Sequence, residues 1–477
     1  MKSQSRAFRT NAEKALLDTQ LQRALNIAGS GFIDKRRAAI DALPVFELLR
    51  DAARSIKEHT LSHLDDYLLR FEEQVQANGG QVHWARTPAE ASKLVVQLCR
   101  EVDAKRVTKG KTMVGEEIGL NEALEQAGMT PIETDLGEYI IQLAEEPPSH
   151  IIAPAIHKTR EQITALFKQH HARYGLTKPL ETVPEIVNEA RQVLRQEFLQ
   201  ADVGITGANL LIAETGSTVL VTNEGNGDLT ASLPRVHIVV ASIEKVVPTL
   251  EDATVIIRLL ARSATGQEIT SYTSFFTGPK RDTDQDGPEA FHVVLVDNGR
   301  AEMLGNDYHP MLRCIHCGAC LNHCPVYSAI GGHAYGWVYP GPMGAVLTPL
   351  MLGLQQAPDL PQASSLCGRC AEVCPMSIPL PDLLRQHRFK LHEQHASPLL
   401  TRLALAAWAS LARHPASYRW VMNKISHLLH RVSRRQGRFK RLPFASHWTQ
   451  SRDFPAPQGE TFLSAWAKKV AQKGGDN

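Results

Sequence analysis

The chain has 477 residues, 43% of them hydrophobic, with 52 basic against 50 acidic side chains and a formal net charge of +2. That length supports two or three domains with sizeable cores, and so balanced a charge excludes a protein organised around polyanion binding. No window of about eighteen uninterrupted apolar residues occurs, and the polar start Met1-Lys-Ser-Gln-Ser-Arg lacks the apolar stretch of a secretion signal. The expectation is a cytoplasmic protein of a reducing compartment without a membrane-spanning helix.

Residues 1–80 read as helices, because Leu16, Leu17, Leu21 and Leu25, then Phe46, Leu48, Leu49, Ala52 and Ile56, then Leu64, Tyr67, Leu68 and Phe71 recur at helical spacing. Asn78-Gly79-Gly80 signals a turn. Val82–Trp84 reads as a short strand and Pro88–Arg100 as an amphipathic helix, in which Cys99 sits in an apolar run as a buried core thiol. Short segments around Lys105–Val107 and Gly115–Glu117, a helix over Asn121–Ala127 and the stretch Glu133–Leu143 keep the strand–helix rhythm of an open α/β sheet, and Ile151–Ala153 is another short apolar run. Pro184–Gln200 is a helix with Ile186, Ala190, Val193, Leu194 and Phe198 on one face.

From Ala201 to Gly227 the chain alternates β-rich runs with glycine turns (Gly204, Gly207, Gly216, Gly225) and carries Thr206, Glu214, Thr215, Asn223, Glu224 and Asn226. Two readings are open. These residues make hairpin turns, or they form a ligand-binding edge whose backbone N–H groups face phosphate or carboxylate. Neither a G-x-x-x-x-G-K-[ST] loop nor a G-x-G-x-x-G turn leading into a helix is present. Val236–Ala241 and Phe291–Val296 are β-branched runs suited to buried strands, and Thr277–Pro288 is a polar surface loop with the same pocket as an alternative place.

The chemistry is densest after residue 306. Cys314, Cys317, Cys320 and Cys324 precede Pro325 with the spacing C-x2-C-x2-C-x3-C-P, and Cys367, Cys370 and Cys374 precede Pro375 with C-x2-C-x3-C-P. The first run is the bacterial signature for a [4Fe–4S] cluster, and in two-cluster proteins the cysteine before proline ligates the other cluster. Crossing the ligands assigns Cys314, Cys317, Cys320 and Cys374 to one cluster and Cys324, Cys367 and Cys370 to a second, one cysteine short. Counting back from Cys367 by the motif's own spacing reaches Ser364, so the second is [3Fe–4S], or [4Fe–4S] with one iron held by Ser364, water or a partner. Zinc also takes C-x2-C pairs, but its sites use four ligands, whereas seven of the eight cysteines gather here around two C-P endings. His316 and His323 read as loop residues near the sulfurs rather than ligands. The glycines and aromatics of the insert from Tyr327 to Gly353 either shield the clusters or simply pack the loop.

From Arg402 to Arg452 there are eleven Lys and Arg and no acidic residue. With Leu403, Leu405, Trp408, Leu411, Trp420, Val421, Ile425, Leu428 and Leu429 on helices broken at Pro415, this is a basic amphipathic region suited to an acidic partner or an anionic membrane surface. The final Gly474–Asn477 reads as a frayed end.

Taken together, Gly204-Ile-Thr-Gly-Ala-Asn, Glu214-Thr-Gly-Ser-Thr, the two cysteine runs and Gly331-Gly-His-Ala-Tyr-Gly-Trp-Val-Tyr-Pro-Gly-Pro resemble the lactate utilization protein B family over nearly the full chain. The resemblance implies an α/β LUD domain, related to sugar-phosphate isomerases and CoA transferases, followed by a mainly helical two-cluster ferredoxin domain. Segments 1–80 (helical), 81–303 (LUD), 304–395 (iron–sulfur) and 396–477 (basic, helical) follow. It implies an iron–sulfur electron-transfer subunit of a system oxidising L-lactate to pyruvate, not an autonomous lactate enzyme. The implied partners are a cysteine-rich subunit with paired C-C-G motifs, absent from this chain, and a smaller LUD-domain protein. In the alternative, the α/β half is a catalytic or small-ligand module with Glu214 or Glu224 as base or nucleophile, and the clusters are structural.

Overall fold

The computed structural model describes residues 3–396, 399–433, 437–442, 449 and 452–474. The chain forms two compact units, Met1–Leu391 and His392–Asn477.

The first unit is built on a six-stranded sheet of β1 (Gln81–Ala85), β2 (Arg106–Lys109), β3 (Thr130–Glu133), β4 (Val203–Thr206), β7 (Val236–Ser242) and β10 (Ala290–Val296), in the order β1-β10-β7-β4-β2-β3. Every pairing in it is parallel; Val203 of β4 lies between Val107 and Val236, and Val236 faces Ala290. Such a sheet needs cover on both faces, which explains the unbroken β-branched runs. Val203, Ile205, Ile238 and Val240 pack with Val95 and Leu98 of the helix Pro88–Glu101, while Val239, Ala241, Val293 and Leu295 pack with Leu64, Leu68 and Phe71 of the helix Leu64–Ala77. A smaller sheet, β5 (Leu210–Ile212), β6 (Ser217–Thr222), β8 (Val246–Val247) and β9 (Tyr272–Phe276) in the order β8-β5-β6-β9, absorbs most of the glycine-rich region. Its β5–β6 hairpin uses Gly216 at φ +69°. The turn reading therefore holds for Gly216. Gly204 serves close packing, since a Cβ there would lie 1.8 Å from the Thr230 carbonyl oxygen.

The elements anticipated from periodicity are present with small shifts of boundary. Ile151–Ala153 forms no strand, and Thr277–Pro288 stays on the surface, where Gly278 meets the Asn78 turn. The mainly helical segment after residue 303 shares one apolar core with the helices Phe46–Ser62 and Leu250–Ala264.

One buried ionic cluster ties that segment to the sheet. Arg300, 2% exposed, places Nη1 and Nη2 at 2.9 and 2.8 Å from the two carboxylate oxygens of Glu117 and Nε at 2.9 Å from Glu244. Tyr339, from the insert between the cysteine runs, donates its hydroxyl to Glu117 at 2.6 Å, and Asn298 donates to the same carboxylate. Lys57 of the helix Phe46–Ser62 donates to the carbonyls of Glu244 and Val246. Burial alone raises both carboxylates, but Arg300 and the hydrogen bonds hold Glu117 and Glu244 below the ordinary range.

In the second unit the helices Leu399–Ala412, Pro415–Ser433 and Phe462–Gly474 accompany a short ribbon of β11 (Arg438–Phe439) with β12 (Phe454–Pro455). Asn423 bonds Ser464 at 2.8 Å and Thr461 at 2.7 Å, fastening the last helix to the one before. Leu400, Trp420, Leu428 and Phe462 are exposed there. The terminal 475–477 lies outside the described residues. No described helix is long and apolar enough to cross a membrane.

Arg300→Met strands two buried carboxylates and should cost about 3–5 kcal/mol. Arg9→Met, which breaks the Arg9–Asp359 pair whose Arg9 is 72% exposed, should cost about 1 kcal/mol or less. Urea midpoints of the two variants against the parent check the contrast. Because the folded carboxylates titrate below their usual value of 4.5, their contribution is present above that pH and is lost as pH falls through the lower folded values.

Candidate metal centre

The two cysteine runs fold as copies of one loop. In the first, His316 has φ +56° and Gly318 φ +74°, and the short helix Ala319–Asn322 follows. In the second, Leu366 has φ +54° and Gly368 φ +86°, and Arg369–Glu372 follows. Left-handed backbone at these two points curls each loop so that sulfurs two residues apart face inward; glycine takes one of the points at little cost. The Cys374 sulfur accepts the Ile378 N–H at 3.5 Å, and the N–H dipoles of His316, Ala319, Tyr327, Arg369 and Ala371 favour the thiolates of Cys314, Cys317, Cys324, Cys367 and Cys370 respectively. Ser364 occupies the place in the second loop that Cys314 has in the first. Its hydroxyl oxygen accepts Leu366 N–H at 3.1 Å, and the Cys314 thiolate is favoured by the N–H of His316, likewise two positions on.

Cys314, Cys317, Cys320 and Cys374 line one small cavity with Ile151, Ile315, His316, Met343, Met376 and Ile378. Burial pushes the Cys317 thiol up to about 12 and raises those of Cys314, Cys320 and Cys374 as well. Thiols in so dry a pocket keep their protons until a cation displaces them, so binding a metal there releases protons. Cys324, Cys367 and Cys370 are electrostatically coupled to one another, and Cys370 is coupled to Cys320 of the first group. Cys324 and Cys370 are buried, with Cys370 pushed up to about 12 by burial. Cys367 is exposed, and its thiol is lowered first by the Arg369 N–H and then by the Ser365 hydroxyl. Soft sulfur donors in apolar walls suit iron–sulfur clusters, and a group with only three thiols is not a closed structural zinc site.

Three arginines that the spacing did not single out hold these loops from behind. Arg36 Nη2 donates to the Val373 carbonyl at 2.8 Å, Arg50 Nε to the Cys374 carbonyl at 2.8 Å, and Arg313 Nη2 to the Ser377 carbonyl at 3.2 Å. Their only sequence signal is a basic residue on an otherwise apolar helix face. His323 bonds the Ala319 carbonyl at 2.9 Å within its own turn, whereas His316 stacks on Tyr339 with ring centroids 5.5 Å apart. Tyr335 and Tyr339 of the aromatic insert are fully buried, in keeping with a shielding role.

The α/β half contributes a separate cavity of about 370 Å³. Of the glycine-rich region, Gly207, Asn223, Glu224, Asn226 and Gly227 line it. Glu214 does not; it accepts the Leu250 N–H at 3.2 Å at a helix start. The loop Thr277–Pro288 does not line it either.

Cys99 is fully buried, away from the other cysteines, in the helix Pro88–Glu101. Cys99→Ser should leave the iron and sulfide content of anaerobically prepared protein unchanged. Cys374→Ser should reduce it, and chemical iron and sulfide determination on both variants separates the two roles.

Three family models match the chain: the LUD domain over residues 68–296, the 4Fe-4S dicluster domain over 310–378, and the C-terminal region of lactate utilisation protein B over 385–471. The chain is 43% identical to a lactate utilization protein B of Bacillus pumilus, covering 98% of each chain, and 44% identical to that of Shouchella clausii, again with 98% of each covered. It is also 42% identical to an uncharacterized electron transport protein of Escherichia coli over 99% of both. A LUD-type parallel sheet, a dicluster segment and a helical C-terminal region, matched in order and over full length, make this chain a member of the lactate utilization protein B family.

Proposed function

We propose that this chain is the iron–sulfur electron-transfer subunit of a multi-subunit cytoplasmic system that oxidises L-lactate to pyruvate, carrying two clusters. Cys314, Cys317, Cys320 and Cys374 hold the first; Cys324, Cys367 and Cys370 hold the second, with Ser364 in the fourth position. The observation that carries this reading is the pairing of a deep sulfur group with an adjoining one that opens to the surface at Cys367. The names borne by the relatives support it. Clusters bound in these loops supply one-electron steps over a potential range set by charge, hydrogen bonds to sulfur and exposure. The chain's own part is to keep water from the deep group with Ile151, Met343 and Met376, to place the Ile378 N–H on the Cys374 sulfur, and to leave Cys367 open to a partner. The partners are a cysteine-rich subunit with C-C-G motifs and a smaller LUD-domain protein. The basic C-terminal unit is the face that meets an acidic surface on one of them.

Co-purification from the native cell under anaerobic conditions, followed by iron and sulfide analysis, EPR and lactate-dependent dye reduction, tests this directly. Iron in both groups and dye reduction only by the recovered complex are expected. One or two equivalents of zinc without iron would overturn the reading.

The unequal donor sets predict unequal stability toward oxygen. On air exposure the protein should give a [3Fe–4S] signal from the Cys324, Cys367, Cys370 group first. Ser364→Cys, which completes the thiolate set at the Cys314-equivalent position, should suppress that signal, and Ser364→Ala should not. The same [3Fe–4S] yield in a folded, iron-replete Ser364→Cys protein would show that Ser364 is not the fourth position.

A further inference from the structure

The cavity of about 370 Å³ in the α/β half falls within the range of roughly 300–1,000 Å³ usual for small-molecule sites. Its lining comes from the segments that follow β2 (Lys111–Val114), β4 (Gly207–Asn209) and β7 (Lys245). Those are the carboxyl ends of parallel strands, where open α/β sheets hold their ligands. Leu220, Val240, Leu260, Ala261 and Ala264 make an apolar wall. Ile151 and His316 belong both to this cavity and to the one lined by Cys314, Cys317, Cys320 and Cys374, so a single layer of side chains separates the two.

Four charged side chains face the cavity, and three of them are committed. Lys111 Nζ donates to the Ile152 carbonyl, Asp135 accepts Glu138 N–H at 3.1 Å, and Glu224 accepts Leu136 N–H at 3.3 Å. Both carboxylates are thus turned to the start of the helix Leu136–Leu143. The fourth, Lys245, is only 8% exposed, and its ammonium makes no hydrogen bond or ion pair within 4 Å among the described residues. Asn226, 7% exposed, lines the same space, and its carboxamide likewise has no partner among them. A buried cation and a buried amide left unpaired each carry a desolvation cost that a complementary ligand removes. Burial lowers the Lys245 ammonium from its ordinary range, opposed by Glu244 and Cys314, and an anion in the cavity favours its charged form.

We propose that this cavity binds a small organic anion whose carboxylate or phosphate pairs with Lys245, with Asn226 as a further polar contact and the apolar wall of Leu220, Leu260 and Ala264 against its body. The bound molecule lies beside the His316 side of the Cys314–Cys320 loop. This claim rests on the cavity alone and stands or falls independently of whether the sulfur groups carry iron or the chain serves lactate oxidation. The competing role for Lys245 is that of a counter-charge to Glu244 and the Cys314 group.

The test uses the full chain purified anaerobically, with L-lactate as the carboxylate probe, inorganic pyrophosphate as the phosphate probe and potassium chloride matched for ionic strength. Pulsed amine labelling read by mass spectrometry should show saturable protection of Lys245 by one of the two anions and none by chloride, while the exposed Lys93 stays unprotected. Protection by lactate assigns a carboxylate ligand, and protection by pyrophosphate a phosphate. Calorimetry with the protecting anion should find binding weakened roughly tenfold or more in Lys245→Met and retained within about threefold in Lys245→Arg. No protection beyond chloride from either anion overturns the proposal in the unsubstituted protein, whatever the variants do. Equal affinity in parent and Lys245→Met, with only the EPR of the neighbouring cluster altered, assigns Lys245 the counter-charge role and overturns it as well.

Discussion

A buried guanidinium between two buried carboxylates is the constraint on which the first unit turns. Glu117 leaves the segment after β2, Glu244 the end of β7, and Arg300 the end of β10, so all three stand at the same edge of the sheet. None of them is tolerable there alone, because an ion taken out of water costs several kcal/mol unless it is paired and hydrogen-bonded. The fork of Arg300 meets both oxygens of Glu117, and Tyr339 fills a further acceptor site from the insert between the cysteine runs. The segment that carries the sulfurs is therefore fastened to the carboxyl edge of the sheet rather than tethered beside it. His316, stacked on Tyr339, inherits its place from that bond and comes to stand between the sulfur group and the cavity of the α/β half.

The loops themselves need backing. A coil with only two or three residues between ligands has few contacts of its own. Arg36 and Arg50, from the helices Thr19–Asp41 and Phe46–Ser62, donate to the carbonyls of Val373 and Cys374. The N-terminal helices are thus part of the metal centre in a physical sense: they hold the backbone that aims the N–H groups and bring positive charge near a centre that is anionic when loaded. The same logic explains the asymmetry of the two sulfur groups. The first lies under the helices and the aromatic insert, whereas the second, at the end of the second loop, leaves Cys367 uncovered. Exposure and one fewer thiolate act together, the first by admitting water and the second by reducing negative charge.

Much of this was legible in the chain as written. Spacings of two residues let Cys314, Cys317 and Cys320 share a centre, since the reach of a short loop is set by covalent geometry, and the crossed pattern of two-cluster proteins adds Cys374, which lines the same cavity. Hydrophobic runs such as Val236–Ala241 and Phe291–Val296 declare buried parallel strands because both faces must be covered. Counting residues led to Ser364, and the backbone repeats the first loop there for a local reason, the left-handed residue two positions on. Tertiary structure decided the rest. Arg300 is a basic residue like any other until the fold brings Glu117, 183 positions away, and Glu244 to it. Ile151–Ala153 is a short apolar run in sequence, and in the fold Ile151 comes to line both cavities. Glu214 and Glu224 look alike in sequence and each accepts an N–H at a helix start, yet only Glu224 faces the cavity. Lys245 has no local mark of any kind; a lysine after a strand is ordinarily solvated, and only the closure of distant segments around it leaves its charge buried and unpaired. Short-range chemistry is written in spacing, whereas the pairing of charges and the sharing of walls depend on which distant segments the fold brings together.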